Sequence, residues 1–182
     1  MIKALQALEV PLIVIGDFDL YNNENPMRKV YEELGGKWDE IKTDFIKVKK
    51  GVDEKMPELK TEDLIREIEY IFTSVSDIIF PEHSIKAIQA ALKKASPWRQ
   101  AKASGKAYLP SGETTVAFNR IQAKLAEKNI FILELGEIEA FDKSIGGHGP
   151  KWVNQILEKD ILNAPELEEA RSFVKTKILK LQ

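Results

Sequence analysis

One construction occurs twice in this chain, and it limits what the chain can fold into more than any other feature. Residues 12–15, Leu-Ile-Val-Ile, are an apolar run of strand length that stops at Gly16 and is followed by Asp17 and Asp19. Residues 130–133, Ile-Phe-Ile-Leu, repeat the pattern and stop at Gly136, Glu137 and Glu139. Neither run alternates with polar residues, which suits strands covered on both faces, as in a parallel sheet. Parallel strands finish at the same edge of their sheet, so adjacent placement would gather Asp17, Asp19, Glu137 and Glu139. Carboxylates held that close repel one another unless a cation lies between them. Oxygen donors at the carboxyl end of buried strands are what Mg²⁺ or Mn²⁺ accepts. The plainer explanations are a solvated acidic turn for the aspartates and a helix dipole for the glutamates.

The 182 residues carry a formal net charge of −2, so bulk basicity does not advertise a nucleic-acid partner, although a local basic face remains open. There is no cysteine, which excludes disulfides and Cys-based zinc sites, and the histidines are His83 and His148. No apolar run reaches membrane-spanning length, and Pro11 with the two aspartates argues against a signal peptide. A soluble cytoplasmic protein is expected.

In chain order, residues 1–9 read as the tail of a helix, with Ile2, Leu5 and Leu8 at helical spacing. After the Asp pair a helix starts near Pro26, carries Met27, Val30, Tyr31 and Leu34 on one face, and stops at Gly35-Gly36. Residues 38–48 suggest a second strand built on Phe45, Ile46 and Val48, and the charged residues 49–60 a linker with Gly51 and Pro57. Residues 61–95 predict a helical hairpin interrupted at Pro81. A basic segment follows with Arg99, Lys102 and Lys106. Residues 114–128 predict an amphipathic helix with Val116, Phe118, Ile121 and Leu125 inward. Residues 145–153 form a glycine-rich loop that opens a helix at Lys151, a place suited to phosphate, with His148 read as a turn residue. A last helix spans 166–179, with Ala170, Phe173, Val174 and Ile178 on its packing face.

Three blocks in this order, Val14-Ile-Gly-Asp-Phe-Asp-Leu20, Leu135-Gly-Glu-Ile-Glu139 and His148-Gly-Pro-Lys-Trp-Val153, resemble the second part of a Toprim domain of the OLD type (overcoming lysogenization defect). The helical insert, Lys102 with Gly105, and the spacing of the blocks fit the same family, and the resemblance covers nearly the whole chain. It implies an α/β fold: a small, mostly parallel Toprim-like sheet flanked by helices, with an inserted helical hairpin. The first part would be residues 1–60, the insert 61–105, and the second part with the C-terminal helices 106–182. It implies a nuclease using Mg²⁺ or Mn²⁺, with Asp17, Asp19, Glu137 and Glu139 as metal ligands. Lys102 or Lys151 would steady the transition state, and Arg99, Lys102, Lys106 and Lys151 would meet phosphates. The implied partners are DNA, an ABC-type ATPase domain or subunit, and a second copy of the chain.

The chain departs from that family in one way. A Toprim domain opens with a strand and a Glu-Gly motif whose glutamate acts in the chemistry, and no Glu-Gly pair precedes Asp17 here. The expectation is a fragment, a split half or a degenerate domain, weak or inactive by itself. No Gly-x4-Gly-Lys-Ser/Thr pattern is present, so the ATPase is not in this sequence. Two other readings stand beside this one. The first is a non-catalytic Toprim-like docking or dimerisation module. The second is a haloacid dehalogenase-like phosphatase with Asp17 as nucleophile, Asp19 as general acid, and Glu137, Glu139 and Asp142 as metal acids. Against the phosphatase, Tyr21 stands where a small or β-branched residue is usual.

Overall fold

The computed structural model describes residues 2–55 and 59–179. It holds two strands, β1 (Val14–Gly16) and β2 (Ile130–Ile132), paired in parallel with Val14 opposite Ile130. The two apolar runs therefore meet as expected, in a mixed α/β chain that is mostly helical. Beyond the strand ends, the Val14 N–H donates to the Asn129 carbonyl and the Leu133 N–H to the Gly16 carbonyl. Val14 and Gly16 thus turn their backbone groups toward β2, and Ile13 and Ile15 turn theirs the other way. The outer edge of β2 is closed by the Gln122 side chain, which donates to the Ile132 carbonyl at 2.8 Å. Among the described residues no third strand lies against β1.

One face of this small sheet carries the main core. Helices α2 (Glu24–Glu33), α3 (Lys42–Asp53), α6 (Pro97–Ser104) and α7 (Glu113–Ala126) surround an aromatic cluster. Phe18, Tyr21, Phe45 and Phe118 are fully or almost fully buried there, with the Phe18 and Phe118 rings 5.7 Å apart. Val14, Ile130 and Ile132 face the same cluster. Burying each such side chain contributes roughly 1.5–3 kcal/mol. The other face receives the C-terminal elements: α8 (Pro150–Leu157), a 3₁₀ turn at Pro165–Leu167, and α9 (Glu168–Phe173), which ends in a wider turn at Val174–Ile178. Phe131 meets Phe173 edge to face at 6.3 Å across that layer. The expected helix over 166–179 is present as one helical run of changing pitch, a 3₁₀ turn at Pro165–Leu167, α over Glu168–Phe173 and wider over Val174–Ile178.

Several expectations need correction. Residues 38–48 are not a strand: a 3₁₀ turn at Trp38–Glu40 leads into α3. Ile41, Phe45, Val48 and Val52 bury one face of that helix at intervals of four, three and four. The helix runs to Asp53, so the proposed linker begins later than residue 49, and residues 56–58 lie outside the described residues. β1 is not covered on both faces, because Ile13 and Ile15 are 40% and 47% exposed. In α7 Phe118, Ile121 and Leu125 are buried as expected, but Ala117 is buried with them in place of Val116, which is half-exposed.

The helical hairpin is present as α4 (Thr61–Thr73) packed on α5 (Glu82–Lys94). α4 buries no residue completely, which places the pair outside the core. α6, counted with the insert on sequence grounds, instead drives Trp98 and Ala101 into the core beside the first strand's turn. Residues 2–7 form the short helix α1 (Ile2–Ala7), matching the expected helix tail there, while Met1 lies outside the described residues.

Candidate metal centre

The site begins with Phe18. Its ring is fully buried, so the residues on either side, Asp17 and Asp19, are turned outward together. Asp17 precedes the 3₁₀ turn Phe18–Asn22 and Asp19 sits in its first turn. The Phe18 N–H donates to the Gly136 carbonyl at 2.6 Å, tying the end of β1 to the turn after β2. That turn delivers Glu137, and the 3₁₀ turn Ile138–Phe141 holds Glu139.

α6 brings the cation. Gly105, at its end, lies against the backbone of 134–136 so closely that a Cβ there would stand 2.0 Å from the Glu134 carbonyl oxygen. A Cβ on Gly136 would stand 1.8 Å from the Lys102 carbonyl oxygen. Both glycines have positive φ, +55° and +110°, so each is required for conformation as well as for space. The contact sets Lys102 over the acidic edge. Its Nζ is 3.1 Å from Asp17, 3.2 Å from Asp19 and 4.0 Å from Glu137. Burial acts to lower the ammonium's pKa, but Asp17 and Asp19 outweigh it and hold it above the usual lysine value.

A second grouping lies beside the first. One carboxylate oxygen each from Glu137 and Glu139 and a ring nitrogen of His148 all lie within 4.8 Å of one another. The Gly149 N–H donates to Glu139 Oε1 at 3.0 Å, which folds the glycine-rich loop over this pair. Burial and the neighbouring Glu139 charge push the Glu137 carboxyl above its ordinary pKa, only partly offset by Lys102 and His148. Burial would also raise Glu139, but the N–H groups of Gly149 and of Glu139 itself, with His148 and Lys102, outweigh it and hold it low.

All four expected acids therefore stand at one sheet edge. Of the two candidate lysines, Lys102 is paired with them, whereas Lys151 is exposed on the first turn of α8 and among the described residues forms no ion pair with them. Among the expected phosphate-binding residues, Arg99 and Lys102 line a groove that opens beside Asp19, over Trp98. Lys93 lines the same groove and was missed in the sequence, where it looks like an ordinary last-turn lysine of α5. Lys106 points instead to Glu134 at 2.9 Å. His148 was likewise missed as a partner of the acids; its position eleven residues after Glu137 in a Gly-Gly-His-Gly loop is the only signal of it. Asp142 is buried and bound by Lys159 and Ser144, so it is engaged elsewhere.

The donors present suit a small divalent cation: carboxylates from two strand ends outnumber the one ammonium among them. Compared with protein-family models, with characterised proteins and with solved structures, the chain matches none.

Proposed function

We propose that this chain carries the metal site of a Toprim-like, Mg²⁺- or Mn²⁺-dependent phosphodiester hydrolase acting on DNA. The observation that carries the reading is the convergence of Asp17, Asp19 and Glu137, from two paired parallel strand ends, on one lysine. Asp17, Asp19, Glu137 and Glu139 would hold the cation, which when bound would supply Lewis acidity toward a phosphodiester oxygen and the attacking water. Lys102 is placed to neutralise the negative charge that builds on the phosphoryl group during the displacement. Arg99 and Lys93 flank the groove beside Asp19 and would position the phosphate backbone without reading bases. An ATPase domain or subunit is the partner that the family resemblance implies.

The carboxylate set lacks the glutamate of the family's Glu-Gly motif. Cleavage by this chain is therefore expected to be weak, about a hundredfold to a thousandfold below a complete site. The test compares the chain with D17A/D19A on plasmid and single-stranded DNA in Mn²⁺. Faint cleavage that the double substitution removes supports the reading, and cleavage equal in the two proteins sinks it. Binding to DNA should weaken steeply with added salt, since phosphate contacts carry it.

A second reading, a docking or dimerisation module without catalysis, is favoured by the half-exposed Ile13 and Ile15 on the unpaired side of β1. That reading predicts that I13K/I15K abolishes association while D17A/D19A leaves it unchanged, as read by light scattering. The phosphatase reading loses Asp142 as a metal acid, because that carboxylate is committed to Lys159 and Ser144.

A further inference from the structure

The acidic edge contains two cation positions that differ in their present neighbours. The inner one, between Asp17, Asp19 and Glu137, is filled by the Lys102 ammonium. A divalent ion can enter there only by displacing a charge that already satisfies both aspartates. The outer one lies between Glu137, Glu139 and His148. Among the described residues no lysine or arginine forms an ion pair with Glu137 or Glu139 except Lys102, which is 4.0 Å from Glu137. The two glutamate side chains are 19% and 15% exposed, so solvent compensates them poorly. The imidazole comes from a separate loop, is 76% exposed, and stands 3.6 Å from Glu139.

We propose that the first cation this protein takes up enters the outer position, liganded by Glu137, Glu139 and His148, and that it is a transition-metal ion such as Mn²⁺, Co²⁺ or Zn²⁺ rather than Mg²⁺. Imidazole nitrogen suits the first-row divalent metals, while Mg²⁺ prefers oxygen ligands and keeps its waters. Glu139 is already oriented by the Gly149 N–H, as ligands of this kind are when a neighbouring group fixes them. A second cation would then follow at the inner position, in exchange for Lys102. The assignment rests on reading this sheet edge as a cation site and not on DNA being the substrate.

The test is titration of Co²⁺, followed by its visible absorption, into the full chain and into H148A, E139Q and D17N/D19N, each checked for folding by circular dichroism. Mn²⁺ with pulsed electron paramagnetic resonance reads the nitrogen ligand directly. One tight Co²⁺ per chain is expected, with a histidine nitrogen coupled to Mn²⁺. Affinity should fall by about tenfold or more in H148A and in E139Q and by clearly less in D17N/D19N, and excess Mg²⁺ should not displace the ion. H148A sits on an exposed loop and leaves the core intact, so its loss of binding cannot be ascribed to unfolding. Retained affinity in H148A with loss in D17N/D19N would assign the first ion to the inner position and overturn the proposal, as would absence of binding or equal binding by all four proteins. Co²⁺ binding as expected without DNA cleavage would count against the hydrolase reading and leave this assignment standing.

Discussion

At the scale of single residues the partly buried Glu137 and the buried Asp142 behave oppositely, and their substitutions should too. Glu137 is held protonated more readily than a free glutamate, by burial and by Glu139. Its charge therefore costs stability above the raised folded value, and the cost vanishes below the ordinary value of ~4.3. E137Q should raise the unfolding free energy at pH 8, by less than about 1 kcal/mol, and leave it unchanged near pH 3. Asp142 is the reverse case. The Lys159 ammonium, Ser144 and the Ser144 N–H, against the opposing pull of burial, hold its carboxyl below the usual range. Its contribution is complete above ~3.9, the unfolded value, and is lost as pH falls through the lower folded value. D142N should cost about 2–3 kcal/mol at pH 7, because it leaves Lys159 facing an amide, and the gap to the unmodified chain should close in acid. Denaturant melts of both variants across pH 3–8 check the pair of signs.

At the scale of elements the decisive contact is helix to turn, α6 against the turn after β2. Gly105 and Gly136 let two backbones touch where side chains elsewhere keep elements apart. G136A forces a Cβ into the Lys102 carbonyl at a φ of +110°, so the helix end must lift. The expected result is a loss of about 3 kcal/mol or more, with a weaker coupling of Lys102 to Asp17. Urea melts measure the first, and the Lys102 ammonium shift in NMR measures the second.

The pairing of β1 with β2 was legible because two apolar runs end in the same Gly-and-acids pattern, and the acids' shared edge followed from it. α3 was not, because Phe45, Ile46 and Val48 look like a short apolar run when taken by themselves. The helical signal spans Ile41 to Val52 and crosses four lysines and a glycine. Exposure of Ile13 and Ile15 was not legible either, since a strand's own residues do not say whether another element will cover them. His148 and Lys93 come to the site from loops and helix ends placed only by tertiary packing.

At the scale of the whole molecule the sheet divides the chain into an aromatic core on one face and a C-terminal layer on the other, and the acids sit at the seam. The groups that meet there come from the first strand's turn, α6, the second strand's turn and the loop before α8. None of them is local to another except Asp17 with Asp19, and Glu137 and Glu139 with His148. Val14 and Ile130, the first paired residues of the sheet, lie more than a hundred positions apart in sequence. Closing so long a loop comes late in folding, since its entropy must be spent before any strand contact repays it. The consequence is kinetic. Mn²⁺ should slow unfolding and leave the folding rate unchanged, because the full set of carboxylates exists only after the barrier. Stopped-flow chevrons with and without Mn²⁺ should therefore share a folding limb and part on the unfolding limb. A folding limb accelerated by the metal would mean that the two strand ends find each other before the core has formed.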